Sequence, residues 1–145
     1  MARDTELNEL QRIELFATME PEAMRSLMVS AEMRLLRAGD TLYRKGEAAD
    51  CGYLLTKGAV ALDTGETGRP VDKILRPIAL LGEIALVAST TRPVTIFARE
   101  PTTVLRISRT LFHHTLEKHP QSALRVRRLF KDRLTNYIGG IKFEA

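Results

Sequence analysis

Between residues 38 and 68 glycine recurs beside charged or small residues, as Ala38-Gly39-Asp40, Lys45-Gly46-Glu47, Lys57-Gly58 and Gly65-Glu66-Thr67-Gly68. The segments between these glycines are about 6 to 10 residues long, short for helices and suited to strands joined by tight turns. Gly39, Gly46 and Gly58 are therefore read as turn positions that need a positive φ. Within the segments, Cys51, Tyr53 and Leu55 alternate with Gly52, Leu54 and Thr56, and Val94, Ile96 and Ala98 alternate with Thr95, Phe97 and Arg99. A period of two predicts half-buried antiparallel strands. Thr103 to Ile107 gives one more.

Both flanks change period. From Glu6 to about Met19 the residues Leu7, Leu10, Ile13, Leu15 and Phe16 recur at helical spacing, and Pro21-Glu22 opens a second helix carrying Ala23, Leu27 and Met28. After the last strand, Ser108 is an N-cap for a helix through Leu111, Phe112, Leu116 and Glu117. Pro120 ends that helix and starts the last one, which Gly139-Gly140 should stop near Ile138. The chain is thus predicted to be α+β and mainly β: an eight-stranded antiparallel β-roll of jelly-roll type over about 31–108. A helical preface covers 5–30 and two C-terminal helices cover about 109–139.

At 145 residues and 44% hydrophobic, the chain suits one domain spanning 1–145. No run reaches the roughly 18 to 20 apolar residues of a membrane span, and the first eleven residues are polar, so a cytoplasmic protein is expected. Its single cysteine, Cys51, excludes an internal disulfide and a cysteine-based zinc site. His113, His114 and His119 lack a carboxylate or cysteine at ligand spacing, so no metal is expected. No serine or cysteine stands in a recognisable nucleophile motif, which argues against an enzyme.

The segment Leu80-Leu81-Gly82-Glu83-Ile84-Ala85-Leu86-Val87-Ala88-Ser89-Thr90-Thr91-Arg92 lies between strands and has the logic of anion capture. The apolar run Ile84 to Val87 can wind into one helical turn with N–H groups converging on a phosphate. Gly82 lets backbone come close. Arg92 offers a planar donor fork to phosphate oxygens, and Glu83 is an acceptor suited to a ribose hydroxyl. A Glu83–Arg92 surface ion pair is the plain alternative.

Together with Ala38-Gly39-Asp40-Thr41-Leu42, Lys45-Gly46-Glu47-Ala48-Ala49-Asp50, Tyr53-Leu54-Leu55-Thr56-Lys57-Gly58-Ala59-Val60 and Gly82-Glu83-Ile84-Ala85-Leu86, the chain resembles, in order, the cyclic-nucleotide-binding domain family. The resemblance runs from about Leu15 to Tyr137 and implies a phosphate-binding cassette closed by the last helix. By position it implies that Glu83 takes the ribose 2′-hydroxyl and Arg92 the cyclic phosphate, with Gly82, Ile84 and Ala85 lending N–H groups. Pro93 departs from the Ala, Ser or Thr usual after that arginine, and it has no N–H to give. Losing one bond to a charged group costs about 1.5 to 3 kcal/mol. The lost hydroxyl favours cAMP over cGMP. Pro93 and Val94 complete the expected ligand contacts, with Phe130, Leu134 and Tyr137 as candidate lid residues.

The seam Val126, Phe130, Leu134, Tyr137, Ile141 packs on its own roll or pairs with a second copy as a homodimer. Arg125, Arg127, Arg128, Lys131 and Arg133 face only Asp132 locally, which reads as a solvated helix face. With no helix-turn-helix after it, neither DNA nor membrane contact is expected. The reading is a stand-alone sensor that binds a cyclic nucleotide, needs no cofactor and signals to an unidentified protein partner. Two others stand beside it: a degenerate module of the same fold used for protein interaction, and a fragment of a larger channel or regulator.

Overall fold

A computed structural model describes residues 8–65 and 73–140, with side chains described as far as Arg133. Contacts divide the chain into two compact units. One is Ser30–His113; the other joins the residues up to Val29 to those from His114 onward.

The first unit is the β-roll. Its strands are β1 (Glu32–Leu36), β2 (Thr41–Tyr43), β3 (Ala48–Ala49), β4 (Cys51–Lys57), β5 (Val60–Asp63), β6 (Lys73–Leu75), β7 (Ala79–Leu81), β8 (Thr90–Thr91), β9 (Thr95–Ala98) and β10 (Thr102–Ser108). Two four-stranded antiparallel sheets, ordered β1-β10-β4-β7 and β2-β9-β5-β6, account for the eight expected strands. The other two, β3 and β8, form a separate two-residue pair.

Period two puts the core between the sheets. Cys51, Tyr53, Leu55, Leu81 and Val104 from one sheet meet Leu42, Tyr43, Val60 and Ile96 from the other. One expectation fails here. β4 is not half-buried: Gly52 and Leu54 are buried as fully as Cys51, Tyr53 and Leu55. Gly52 faces the Leu86 side chain, which would lie 3.2 Å from a Cβ at this position, so the outer face of the strand is covered too.

The turns follow the glycines. Gly39, Gly46 and Gly58 have φ of 91°, 89° and 92°. At Gly58, between β4 and β5, a Cβ would lie 2.5 Å from the Pro101 carbonyl oxygen and from Thr102 Oγ1, so space as well as conformation demands glycine. In two turns the acid after the glycine reaches back. Asp40 accepts the Arg37 N–H at 2.8 Å and Glu47 accepts the Arg44 N–H at 2.5 Å, which closes each loop with its own side chain.

In the second unit the N-terminal helix expected over Glu6 to Met19 is broken. Residues 8–10 are helical, Arg12 and Ile13 bond three residues back, and α1 is only Glu14–Ala17. Ile13 is extended (φ −86°, ψ 119°), and that conformation ends the ladder. Then come α2 (Pro21–Ser30), α3 (Arg109–Lys118), which crosses from one unit to the other, and α4 (Pro120–Gly140). Ser108 caps α3 as expected, accepting the Leu111 N–H at 3.0 Å. α4 continues through Gly139 to Gly140, the last described residue and two beyond the end expected near Ile138, at a cost of about 1 kcal/mol per glycine relative to alanine. The Glu20 N–H donates to buried Ser122 at 2.8 Å, and the Ser122 hydroxyl donates back to Glu20 Oε2 at 3.2 Å, tying α4 to the start of α2.

Candidate functional site

Gly82 follows β7 in the left-handed conformation (φ 73°, ψ 38°), and Glu83–Leu86 then make one 3-10 turn. A Cβ on Gly82 would collide with Arg92 Nη1, so the absent side chain lets the guanidinium rest on the backbone. Inside the turn the Ala85 N–H donates to the Gly82 carbonyl at 3.1 Å, and those of Val87 and Ala88 donate to Ile84 at 3.0 Å. The Ala85 N–H, expected to face a ligand, is thus engaged within the turn. Ala85 and Leu86 are buried, Ile84 is 51% exposed and Glu83 is half-buried. Arg109, the first residue of α3, holds this turn in place. Its Nε donates to the Ala85 carbonyl at 2.8 Å and its Nη2 to the Ala49 carbonyl of β3 at 2.6 Å.

Arg92 is 5% exposed. Its backbone is pinned on both sides, the N–H donating to the Glu47 carbonyl and the carbonyl accepting the Gly46 N–H, each at 2.8 Å. The guanidinium carbon lies 4.1 Å from the Tyr43 ring centroid and 5.8 Å from that of Tyr53, and Nη2 approaches Cys51 Sγ at 3.4 Å. A buried cation is thus met by two aromatic faces and a thiol, a weak acceptor, in a place where leaving it without compensation would be costly. Burial pushes the Tyr43 hydroxyl up to about 12 against the opposing pull of Arg92. Tyr53 is raised as well, by burial first and then by its hydrogen bond with Cys51. Both phenols are neutral at neutral pH.

Beside Arg92 lies a cavity of about 270 Å³. Among its lining residues Tyr43, Tyr53 and Cys51 are buried, Arg106 is half-buried, and Arg34, Glu47 and Asp50 are exposed. Of the seven residues expected to contact a ligand, Arg92 lines it. Gly82 adjoins Arg92, Glu83 and Ala85 follow in the turn, Ile84 and Pro93 are exposed, and Val94 packs against the roll core. Among the candidate lid residues, Phe130 is partly buried with Arg133 5.3 Å over its ring. The side chains of Leu134 and Tyr137, and Ile141 of the seam, lie outside the described residues. Sequence reasoning missed Tyr43, Tyr53, Arg34 and Arg106. The alternation already used for Cys51 and Tyr53 assigns Tyr53 to the inner face; applied to β1 and β10 it would have found the two arginines.

Among the described residues no group of three His, Cys, Asp or Glu could hold a metal ion, and no helix is long and apolar enough to cross a membrane. Arg125, Arg127, Arg128 and Lys131 are exposed on α4, while Arg133 pairs with Glu14 at 2.7 Å.

Residues 33–119 match the family model for the cyclic nucleotide-binding domain. Among solved structures the chain is similar to the cyclic nucleotide-binding-like protein from Brucella abortus: 41% identical, TM-score 0.70, covering 77% of this chain and 97% of that one. It is also similar to the N-terminal domain of a transcriptional regulator from Streptomyces coelicolor: 28% identical, TM-score 0.82, covering 94% and 96%. Among curated proteins it resembles a stretch of lysophospholipase nte1 from Aspergillus fumigatus, 23% identical over 120 residues, which is 81% of this chain and 8% of that protein.

Proposed function

The chain belongs to the cyclic nucleotide-binding domain family, and on that premise we propose that it is a regulatory module whose roll binds a 3′,5′-cyclic nucleotide, with Arg92 taking the phosphate. The observation that carries this reading is the burial of Arg92 beside the cavity with aromatic faces and a thiol for company. A phosphate oxygen pair is the partner that such a guanidinium fork suits best. Glu83 takes the ribose 2′-hydroxyl, in keeping with its place directly after Gly82, whose backbone Arg92 touches.

Binding shifts the population of α4 positions, and a protein partner reads the difference. This regulatory role, like the absence of catalysis, is proposed from the family and from the kind of chemistry the site offers. Pro93 supplies the competing reading, a roll kept for protein interaction after losing nucleotide affinity.

Calorimetric titration separates the two. Cyclic nucleotide should bind the native protein, and Arg92→Lys should weaken it by roughly one to two powers of ten, more than any fall in the melting temperature of the free protein accounts for, since the charge survives and the fork does not. Glu83→Ala should penalise the ribose ligand and spare its 2′-deoxy counterpart. No heat with either cAMP or cGMP at millimolar concentration would select the interaction module.

A further inference from the structure

The cavity has two chemically different ends. Arg92 stands at one. At the other, Arg34 of β1 and Arg106 of β10 line the wall beside the Tyr53 hydroxyl. The register puts them there: Arg34 lies opposite Val104 and Arg106 opposite Tyr53, and both of those partners face the core. Period two therefore puts the two arginines on the cavity side of their strands, where they stand at the opening, Arg34 47% and Arg106 27% exposed.

Neither arginine is tightly held. Arg34 is 3.7 Å from Glu32, with the two side chains 47% and 63% exposed, and Arg106 is 3.4 Å from Asp50, whose side chain is 75% exposed. Such pairs contribute little and yield readily to a better acceptor. Arg34 Nη1 also donates to the Tyr53 hydroxyl at 3.3 Å. A guanidinium carries five donors and no acceptor, so this end is rich in donors. Of the carboxylates on the cavity wall, Glu47 holds the Arg44 N–H and Asp50 is 75% exposed to water. The two ends lie one tyrosine side chain apart, because Arg92 sits over the Tyr53 ring and Arg34 bonds the hydroxyl at its tip. A ligand whose phosphate meets Arg92 would lay its base along that ring.

We propose that Arg34 and Arg106 read the base, and that they select guanine over adenine. The proposal rests on the reading of the cavity as a cyclic-nucleotide site. Guanine presents O6 and N7 side by side, two acceptors that one guanidinium meets with two parallel N–H groups. Adenine presents N7 beside an amino group, a donor aimed at a cation. A bidentate arginine contact of this kind discriminates by roughly tenfold to a hundredfold. This opposes the preference for cAMP drawn from Pro93. A hydroxyl beside the phosphate, absent at Pro93, bears on one contact and supplies no acceptor for an adenine amino group.

The test is calorimetric titration of the full chain with cAMP, cGMP and cyclic inosine monophosphate, which shares O6 and N7 with guanine and lacks its amino group. The wild-type protein should bind cGMP and the inosine nucleotide at least about tenfold more tightly than cAMP. Arg34→Met and Arg106→Met, which keep an apolar stem, should reduce that ratio towards one by weakening cGMP more than cAMP. The wild-type comparison decides the matter even if a variant does not fold. Binding of cAMP as tight as cGMP, or a guanine preference that survives both substitutions, overturns the assignment of the base while leaving Arg92 as the phosphate ligand. If none of the three nucleotides binds, the site itself is lost, and with it both proposals.

Discussion

Tyr43 shows at the residue scale how closely the roll interior couples to Arg92, the one buried charge among the described residues. The ring lies against the Arg92 guanidinium, and its hydroxyl titrates near 12 because burial outweighs the cation's pull. The folded value lies above the ordinary tyrosine value of 10.0, so the native state retains a proton that the unfolded chain gives up. Tyr43 therefore leaves stability unaffected below about pH 10 and removes it as pH rises from there through about 12. Tyr43→Phe should flatten this alkaline arm in denaturant titrations at stepped pH; an unchanged arm would mean that Tyr43 is not the group responsible. At this scale the sequence was informative where a residue type admits one purpose. Gly82, Glu83 and Arg92 were singled out by residue type together with the family resemblance, and Gly82 and Arg92 do touch. The tyrosines escaped notice because an aromatic on a strand is ordinary core material, and only the folded register reveals which ones a cation rests on.

Strands and helices were legible for a related reason: glycine and proline mark where periods change. Element ends were less so. Ile13 breaks the first helix although its apolar spacing continues, and β4 is buried on both faces because Leu86 reaches across the sheet to Gly52. Neither is a local property. The 3-10 turn also depends on a distant residue, Arg109, whose guanidinium is shared between the Ala85 and Ala49 carbonyls. Arg109→Ala would leave two carbonyls without that charged donor and should destabilise the protein by about 2 kcal/mol. It should also speed amide exchange at Val87 and Ala88 and weaken nucleotide binding more than the global loss explains. Exchange unchanged at these amides would show that the turn stands without the clamp. Arg109→Lys should recover only part of the effect, because one ammonium cannot repeat the two-pronged geometry.

For the whole molecule, two compact units within 145 residues raise the question of whether they melt together. A ligand bound only by the native roll adds about 2.7 kcal/mol at a hundredfold excess over its dissociation constant. For a chain of this size that is a rise of roughly 5 to 10 °C. Scanning calorimetry should show a single peak displaced upward by saturating cyclic nucleotide; two peaks, one of them unmoved, would mean that the helical unit unfolds on its own. The family was readable from sequence over nearly its whole span. The donors opposite Arg92 were not, because they come from β1 and β10, strands some seventy positions apart that are brought together by pairing. The grip on Arg92 has a similar origin, since its backbone is clasped by Gly46 and Glu47, which belong to the glycine turn ahead of β3. The cassette is therefore not a portable cartridge: grafting residues 80–94 into a foreign roll would carry the arginine across but leave behind the hand that aims it.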